Sequence, residues 1–534
     1  MNGETKKEGF ALRRLFAVAT FCVVTLGTVA TAFASAPTVT TPNGVVIGKR
    51  AYGMNEFLGI PYALPPLGSL RWAPPQPYGP LPTNPYQAIE FGNACPQATG
   101  GDENCLFLNV FTPSAGGSNL PVMVWIHGGG LIDGSSTSYN PQWLVSDGVI
   151  VVSLNYRLGY LGFFAQTAID AEGHLNGNYG LMDQQLALQW VQNNIAAFGG
   201  NPEQVTIFGQ SAGGQSVYAQ LASPLAAGMF SGAIAQSGSY AEFEPYLPYI
   251  IPLAQAETEG SPTVPSGEAI AAAVGCGDPA TAACLRAVPA ATMIAGEPFP
   301  LFPFVDGTLL TQTMNSAFAS GQFNQVPVLT GTTQNEYNLF VAENYDLQGN
   351  PILTSGEYTS AVENLFGPEL SPYVLGVYLY SNYPTGGQAF GAAATDGIFS
   401  CPESNAVQLL SNYVNTYAYE FNDVNAPPAQ ADFGGALTFP LGAYHTSELQ
   451  YLFKQWDVFG LPTTLSASQG GLSKRMRLYW TQFAKTGNPN VAPEPNWPTY
   501  NSSANFLSLV EPKPAAISYF SDEHLCPVLW SQIP

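Results

Sequence analysis

Short apolar runs that end in turn residues recur along the chain. They cover residues 121–126, 149–154, 205–208, 233–235 and 326–330. Runs of this length without polar alternation are typical of strands buried on both faces of a parallel sheet. Residues 181–198 instead space their apolar positions at about 3.6 and end at Gly199 and Gly200, which predicts a helix with a glycine stop. A second helix is predicted after the run at 205–208, as far as about Ala222.

This alternation of strand and helix predicts an α/β fold with a mostly parallel sheet. Residues 240–320 and 345–440 are richer in helix formers, proline and aromatic residues, and we expect them to form insertions that cap the sheet. No linker divides the rest of the chain. We therefore expect residues 35–534 to form a single domain.

The first 34 residues have the pattern of a secretory signal. Four basic residues precede an uncharged stretch at 15–36, and Ala32-Phe33-Ala34 fits a small-x-small cleavage site. We predict cleavage after Ala34 rather than Ala36, because Pro37 follows Ala36. An uncleaved membrane anchor is the alternative, since the uncharged stretch approaches the length that spans a bilayer. Arg13-Arg14 leaves both the general and the twin-arginine export routes open.

No later stretch is long and apolar enough to span a membrane, so we expect a secreted or periplasmic protein without a stable anchor. The chain is also acidic. Its 534 residues contain 15 Lys and Arg against 37 Asp and Glu, a net charge of −22. A surface of that sign disfavours nucleic acid and other anionic partners. With 46% hydrophobic and only 10% charged residues, the composition is not that of a disordered chain, and it can bury a large core.

Six cysteines remain once the signal is removed, because Cys22 leaves with it: Cys95, Cys105, Cys276, Cys284, Cys401 and Cys526. An even number in an exported chain suggests disulfides. Proximity along the chain would pair the first two, the next two and then the last two, but it does not exclude other connectivities. There is no C-x-x-C and the histidines do not cluster with the cysteines. We therefore expect no zinc site, and neither a metal nor a cofactor.

Residues 209–213, Gly-Gln-Ser-Ala-Gly, lie between a predicted strand and a predicted helix. G-x-S-x-G in this context predicts a nucleophile elbow, a sharp turn that holds the hydroxyl of Ser211 above the sheet. The positive end of the following helix dipole would favour an oxyanion there. The pentapeptide alone is a weak signal with a plain turn as its alternative, and the strand–turn–helix context favours the catalytic interpretation.

A serine hydroxyl needs a base at neutral pH, and only four histidines are present. The nucleophile-elbow fold has the chain order Ser, acid, His, which leaves two of them. His445, in a glycine-containing loop after an apolar stretch, is favoured. His524, two residues from Cys526, is interpreted as structural.

The acid must lie between Ser211 and His445. Glu336 follows the predicted strand at 326–330 and is the favoured candidate, in a position to orient the imidazole and stabilise its charged form. Asp306 is the rival, although its place in an Asp-Gly pair is also explained by an ordinary turn.

The oxyanion of a tetrahedral intermediate needs preorganised N–H donors. His127-Gly128-Gly129-Gly130 follows the apolar run at 121–126, and three glycines let the backbone turn its amides toward one point. We predict donors from Gly129, Gly130 and Ala212, the residue after the nucleophile. His127 is interpreted as shaping this loop, and His174, in a loop rich in Gly and Asn, as a structural or surface residue.

With these motifs the chain resembles the type-B carboxylesterase/lipase family, the cholinesterase-like branch of the α/β-hydrolases. The resemblance runs from about residue 38 to the end. It is carried by the segments 57–66, 103–109, 155–159, 177–184, 198–202, 236–239 and 483–490.

The resemblance implies an α/β-hydrolase fold and a triad of Ser211, Glu336 and His445. It implies the disulfides 95–105, 276–284 and 401–526. It also implies two structural salt bridges, Arg71–Glu103 and Arg157–Asp183. Ser237 and Glu448 match family positions that support the triad from behind.

The chain departs from the acetylcholine-hydrolysing members of the family. Those have Glu before the nucleophile, where this chain has Gln210, and a Trp within a long first disulfide loop. Here nine residues separate Cys95 from Cys105 and none is Trp, which excludes cation–π capture of choline there. The chain is more similar to bacterial para-nitrobenzyl-esterase-like members.

We therefore predict a secreted serine carboxylesterase that forms an acyl-enzyme on Ser211 and acts on small esters, uncharged and partly apolar, with acetylcholine disfavoured. Two alternatives stay open: a binding or adhesion protein on a hydrolase scaffold, and amide hydrolysis or acyl transfer by the same triad. The aromatic residues of the loop at 239–246 suit an apolar pocket and equally suit ordinary packing.

Overall fold

The predicted strands are neighbours in one large mixed sheet in the computed structural model of the protein. The structure describes residues 35–241, 249–277, 281–427, 437–454, 464–501, 503 and 505–532. The predicted signal, residues 1–34, and most of the loop at 239–246 lie outside the described residues. Residues 36–534 group into one structural unit.

The strands of the described residues are β1 (Thr38–Thr41), β2 (Gly44–Ile47), β3 (Lys49–Ala51), β4 (Met54–Pro61), β5 (Tyr86–Gln87), β6 (Phe107–Pro113), β7 (Leu120–Ile126), β8 (Ile150–Leu154), β9 (Phe163–Phe164), β10 (Gly177–Asn178), β11 (Gly200–Gln210), β12 (Gly232–Gln236), β13 (Val328–Thr333), β14 (Thr416–Phe421), β15 (Phe506–Leu509) and β16 (Ala515–Ile517).

Eleven of these strands form the large sheet, in the order β16-β15-β14-β13-β12-β11-β7-β8-β6-β4-β3. The run from β15 to β8 is parallel throughout. Both edges are antiparallel. The prediction of a mostly parallel sheet is confirmed, and its antiparallel edges were not foreseen.

The continuous apolar runs are explained by burial on both faces of the sheet. In β7, Val122, Val124 and Ile126 pack into the core on one face. Met123 and Trp125, which alternate with them, pack into the core on the other face. A parallel strand covered by helices on both sides has no solvent face and needs no polar positions.

The α-helices of the described residues are α1 (Gln142–Ser146), α2 (Gly159–Gly162), α3 (Thr167–Asp170), α4 (Tyr179–Asn194), α5 (Ala212–Ala222), α6 (Leu253–Thr258), α7 (Gly267–Ala273), α8 (Ala282–Ala287), α9 (Ala290–Met293), α10 (Met314–Ser320), α11 (Asn338–Val341), α12 (Ser355–Val377), α13 (Gly386–Ala394), α14 (Cys401–Ser411), α15 (Leu449–Leu452), α16 (Ala467–Thr486) and α17 (Phe520–Glu523).

Both predicted helices are present. The first is α4, continued by a 3₁₀ turn at 195–198 that stops at Gly199 with a left-handed φ of 89°. The second is α5, which ends at Ala222 as expected. The two predicted insertions contain helices α6–α10 and α12–α14, so helical insertions accompany an α/β-hydrolase sheet.

Two strand predictions need correction. The run at 326–330 becomes β13, which begins two residues later at Val328 because Pro327 has no N–H to give to the ladder. The region 345–440 is also not all insertion. It contains β14, a central strand whose signal was the alternation of Tyr417, Tyr419 and Phe421.

Covalent and ionic links follow the pattern that the family resemblance implies. Disulfides join Cys95 to Cys105, Cys276 to Cys284, and Cys401 to Cys526. The guanidinium of Arg71 pairs with both oxygens of Glu103. That of Arg157 pairs with both oxygens of buried Asp183, at 2.8 Å each. No helix among the described residues is long and apolar enough to cross a bilayer.

Candidate active site

Ser211 lies on a strained turn between β11 and α5. Its φ of 57° and ψ of −126° belong to a region that side-chain-bearing residues rarely adopt. Its amide donates to the carbonyl of Gln236 at 2.8 Å, and its carbonyl accepts from the amide of Gln215 at 2.8 Å, so both ends of the turn are fixed. Strain of this kind persists only where the surroundings enforce it, and it is typical of functional sites.

Glycine is required beside the serine because backbones cross there closely. A Cβ at Gly213 would collide with the carbonyl oxygen of Ile126, and one at Gly209 would collide with the backbone of Gly213. Strand and helix can therefore meet at this angle only without side chains at 209 and 213, which gives the G-x-S-x-G spacing its physical reason.

The loop after β7 passes beside Ser211. A Cβ at Gly128 would lie 3.1 Å from the Cβ of Ser211, and Gly129 and Gly130 have φ values of 109° and 60°. Among the described residues, none accepts a hydrogen bond from the amides of Gly129, Gly130 or Ala212. Three free amides beside one serine are suited to an oxyanion.

His127 contacts this loop and a neighbouring aromatic ring. Its ring stacks on Tyr156 at 4.4 Å, and its Nδ1 lies 2.9 Å from the carbonyl oxygen of Gly128. Burial lowers the pKa of His127 to about 4, so its ring is neutral at physiological pH.

His445 and Glu336 are in direct contact, although they lie 109 positions apart along the chain. The Nδ1 of His445 lies 2.5 Å from Oε2 of Glu336, and both side chains are buried. The backbones of the two loops also pair, since the amide of Asn335 donates to the carbonyl of Ala443 at 2.8 Å. The position of Glu336 just after β13 follows from the sequence pattern, whereas its contact with His445 depends on this loop pairing.

The second oxygen of Glu336 is fixed from behind. The hydroxyl of Ser237 donates to Oε1 at 2.6 Å, and the amide of Thr333 donates to it at 2.7 Å. Ser237 itself has a left-handed φ of 49°. The carboxylate is therefore locked in one orientation, with Oε2 directed at the imidazole.

On the other side of the imidazole, the side-chain amide of Gln210 lies 3.2 Å from Nε2 of His445. A bond donated by that amide requires a lone pair on Nε2, which places the ring proton on Nδ1, facing Glu336. The hydroxyl of Ser211 does not hydrogen-bond His445 in this structure, although both residues line the same cavity. Sequence reasoning did not foresee the contact with Gln210.

Further buried carboxyls surround Glu336. Glu448 accepts from the side-chain amide of Gln236 at 3.0 Å, and burial together with the charge of Glu336 raises its pKa to about 7. Glu403, on α14, accepts from the hydroxyls of Thr330 at 2.6 Å and Tyr218 at 3.1 Å, and burial raises its pKa to about 7. Nothing in the sequence around Glu403 marked it as a neighbour of the site.

Stability should therefore depend on pH through Glu403. Its pKa is higher in the folded than in the unfolded chain, so the free energy of unfolding falls as pH rises from about 4.5 to about 7. Glu403→Gln removes this loss. We expect the Tm of the variant to exceed that of the parent by about 2–4 °C at pH 8 and by much less at pH 5, measured by calorimetry. The matched change at exposed Glu203 should shift Tm at neither pH. An equal shift of the Glu403 variant at both pH values would contradict this assignment.

The rival candidates have other roles in the structure. One oxygen of Asp306 accepts from the amides of Thr308 and Leu309 at 2.8 and 2.7 Å, as a turn residue does. The buried ring of His524 lies between Asp396 at 2.5 Å and Glu420 at 2.7 Å. His174 lies beside Glu172 near the surface. None of these three residues lines a cavity with Ser211.

Two cavities meet at Ser211. The larger, about 550 Å³, is also lined by Gly129, Gln210 and His445. The smaller, about 200 Å³, is lined by Gly130 and by a group of apolar and aromatic side chains that includes Tyr240, Phe302 and Phe399. Phe299 and Phe340 line both. The serine therefore stands between a roomy compartment that contains the imidazole and a narrow aromatic one that does not.

The chain is similar to known proteins along nearly its whole length. A family model described as the Carboxylesterase family matches residues 35–525. Human cocaine esterase (Homo sapiens) is 32% identical over 89% of this chain and 88% of its own length. Mouse liver carboxylesterase 1 (Mus musculus) is 33% identical over 90% of each chain. Mouse acylcarnitine hydrolase is 32% identical over 86% of this chain and 83% of its own. These relatives are mammalian, and the nearer likeness to bacterial para-nitrobenzyl esterases stays a prediction.

Proposed function

The chain belongs to the carboxylesterase family and is a carboxylic ester hydrolase, and from this premise we propose a mechanism through an acyl-enzyme on Ser211. The observation that carries the proposal is the cavity lined by both Ser211 and His445, with Glu336 in contact with His445 from behind. No second function is favoured by a specific contact.

In the first half-reaction, Oγ of Ser211 attacks the ester carbonyl carbon and its proton passes to Nε2 of His445. Glu336, bonded to Nδ1, stabilises the imidazolium that forms. The negative charge moves to the carbonyl oxygen, where the amides of Gly129, Gly130 and Ala212 can donate to it. Gln210 must release Nε2 for this step. In resting enzymes catalytic hydrogen bonds are often long or unmade and tighten only when substrate binds.

The tetrahedral intermediate then collapses. The bond from the carbonyl carbon to the alcohol oxygen breaks, and that oxygen takes the proton from Nε2. Water attacks the acyl-enzyme by the same route, His445 again accepting a proton, and the acid leaves Ser211 free.

The two compartments can be assigned from this proton transfer. The leaving alcohol must be close to Nε2 of His445, which lines the larger cavity, so the alcohol part lies there. The acyl part would then bind in the smaller cavity, which has aromatic walls. This supports an acyl group that is uncharged and apolar. Choline would fill only a small part of the larger cavity, so acetylcholine stays a disfavoured substrate.

Secretion is part of the proposal. It is supported by the signal-like pattern of residues 1–34 and by three disulfides, which persist in oxidising compartments. We propose that residues 35–534 act as one catalytic domain after the signal is cleaved.

The covalent step is tested with a fluorophosphonate probe. One adduct per chain should form, on the peptide that contains Ser211, and hydrolysis of a nitrophenyl ester should fall in proportion to labelling. Mass spectrometry of the digested protein locates the adduct. Full labelling of another residue, or activity that survives labelling of Ser211, would refute the mechanism. Failure to label an ester-inactive protein would instead favour a binding role.

A further inference from the structure

Glu343 is a carboxylate in the proposed alcohol compartment that the mechanism above does not use. It lies in a single π-helical turn, Ala342–Asp346, directly after α11. Such turns are rare in proteins overall, and a large share of those that occur lie at functional sites. Glu343 lines the larger cavity together with Ser211 and His445, and its carboxyl interacts electrostatically with His445.

Among the described residues, the Glu343 carboxylate has no cationic partner. No Lys or Arg among them lines this cavity, and no group among them donates a hydrogen bond to the carboxylate. Partial burial raises the pKa of its carboxyl, and the nearby His445 opposes that rise. A carboxylate that has lost part of its water and gained no partner attracts a cation more strongly than an exposed one does.

Asp133 is the second carboxylate among the residues that line this cavity, and it should attract a cation less strongly than Glu343. Asp133 is exposed, and its side chain already accepts from the amide of Gly134 at 2.6 Å. The remaining walls include the rings of Tyr139, Phe299, Phe340 and Phe453. Aromatic faces attract ammonium groups and also accept apolar ones, whereas they offer nothing to an anion.

We propose that Glu343 selects esters whose alcohol part carries an ammonium group, in an alcohol larger than choline. This rests on the proposed function, since it needs the alcohol part beside His445. The cation would lie against Glu343 and the aromatic walls while the apolar acyl group occupies the smaller cavity. The expectation of an uncharged substrate would then hold for the acyl part alone.

The test uses three butyrate esters of the same shape. The alcohols are 4-(dimethylaminomethyl)benzyl, cationic at neutral pH, its neutral isostere 4-isobutylbenzyl, and the anionic 4-(carboxymethyl)benzyl alcohol. For the parent enzyme we expect kcat/KM to fall in that order, with the cationic ester about 5–10-fold ahead of the neutral one, mainly through KM. Glu343→Gln should remove most of that ratio, and Glu343→Lys should invert it.

Glu203→Gln is the matched control, the same chemical change on an exposed residue at the opposite end of β11 from Ser211, and it should keep the parental ratio. A fourth ester with the ammonium group on the acyl side should gain no advantage. The proposal is overturned if Glu343→Gln changes the cationic-to-neutral ratio less than twofold, or if the parent hydrolyses the anionic ester as fast as the cationic one. Fluorophosphonate labelling of Ser211 in every variant separates these outcomes from failure of the catalytic mechanism, which would abolish labelling as well.

Discussion

Ser211→Ala should lower kcat/KM for a nitrophenyl ester by about 10⁴–10⁶-fold. The hydroxyl is the atom that bonds to the acyl group, and no neighbouring side chain on the turn can replace it. The three free amides and the two cavities stay in place, so a small residual rate above water is expected. Steady-state kinetics measures the loss. The Ser211→Ala variant is purified on separate columns so that it contains no parent enzyme.

The change should not unfold the protein. The turn is held by backbone hydrogen bonds of residue 211, which alanine keeps, at the same strained φ. We expect the Tm to stay within about 2 °C of the parent. Ser118→Ala, at an exposed serine that lines neither of the two cavities at Ser211, is the matched control and should retain full activity. A Ser211→Ala enzyme that keeps a tenth or more of its activity would show that another nucleophile does the work.

Glu336→Gln should lower kcat by about 10³–10⁴-fold with little change in KM. The variant keeps the size of the side chain, and its carbonyl oxygen can still accept from Ser237 and from the amide of Thr333. Its NH₂ group would then face Nδ1 of His445 and donate to it. The ring proton would move to Nε2, and the imidazole could no longer take the proton of Ser211.

Asp306→Asn separates the two acids that the sequence left as candidates. Asp306 accepts backbone hydrogen bonds within its own turn and contacts neither Ser211 nor His445, so its amide variant should keep kcat within about threefold and lose only stability. Both variants are compared by kcat, KM and Tm. A large loss of kcat in the Asp306 variant, with Glu336→Gln still active, would reverse the assignment.

Much of the fold could be predicted from the sequence, because the patterns that indicate strands and helix ends are local. The apolar runs became buried parallel strands, and Gly199 stopped α4 where the pattern indicated. The misses have different causes. β14 was hidden within a region of mixed composition. The antiparallel pairs β4–β6 and β6–β8 join segments that lie far apart along the chain, whereas β3–β4 and β15–β16 are short local hairpins whose strands carry weak patterns. The start of β13 moved because Pro327 cannot donate to a ladder.

The features of the site also divide into those that local sequence determines and those that depend on the packing of distant segments. The turn at Ser211 and the glycines after β7 are determined by short segments whose steric needs can be read from the residues themselves, and the order of serine, acid and histidine limited the partners to a few. The catalytic roles stay predictions. Tertiary structure alone decided that Oε2 of Glu336 meets Nδ1 of His445, that Gln210 lies at Nε2, and that Asp306 holds a turn instead. It also put Glu403 beside the triad and Glu343 in the larger cavity. Spacing along the chain can predict a backbone shape, but burial and electrostatics arise only when distant segments pack together, and those decide which side chains face the serine.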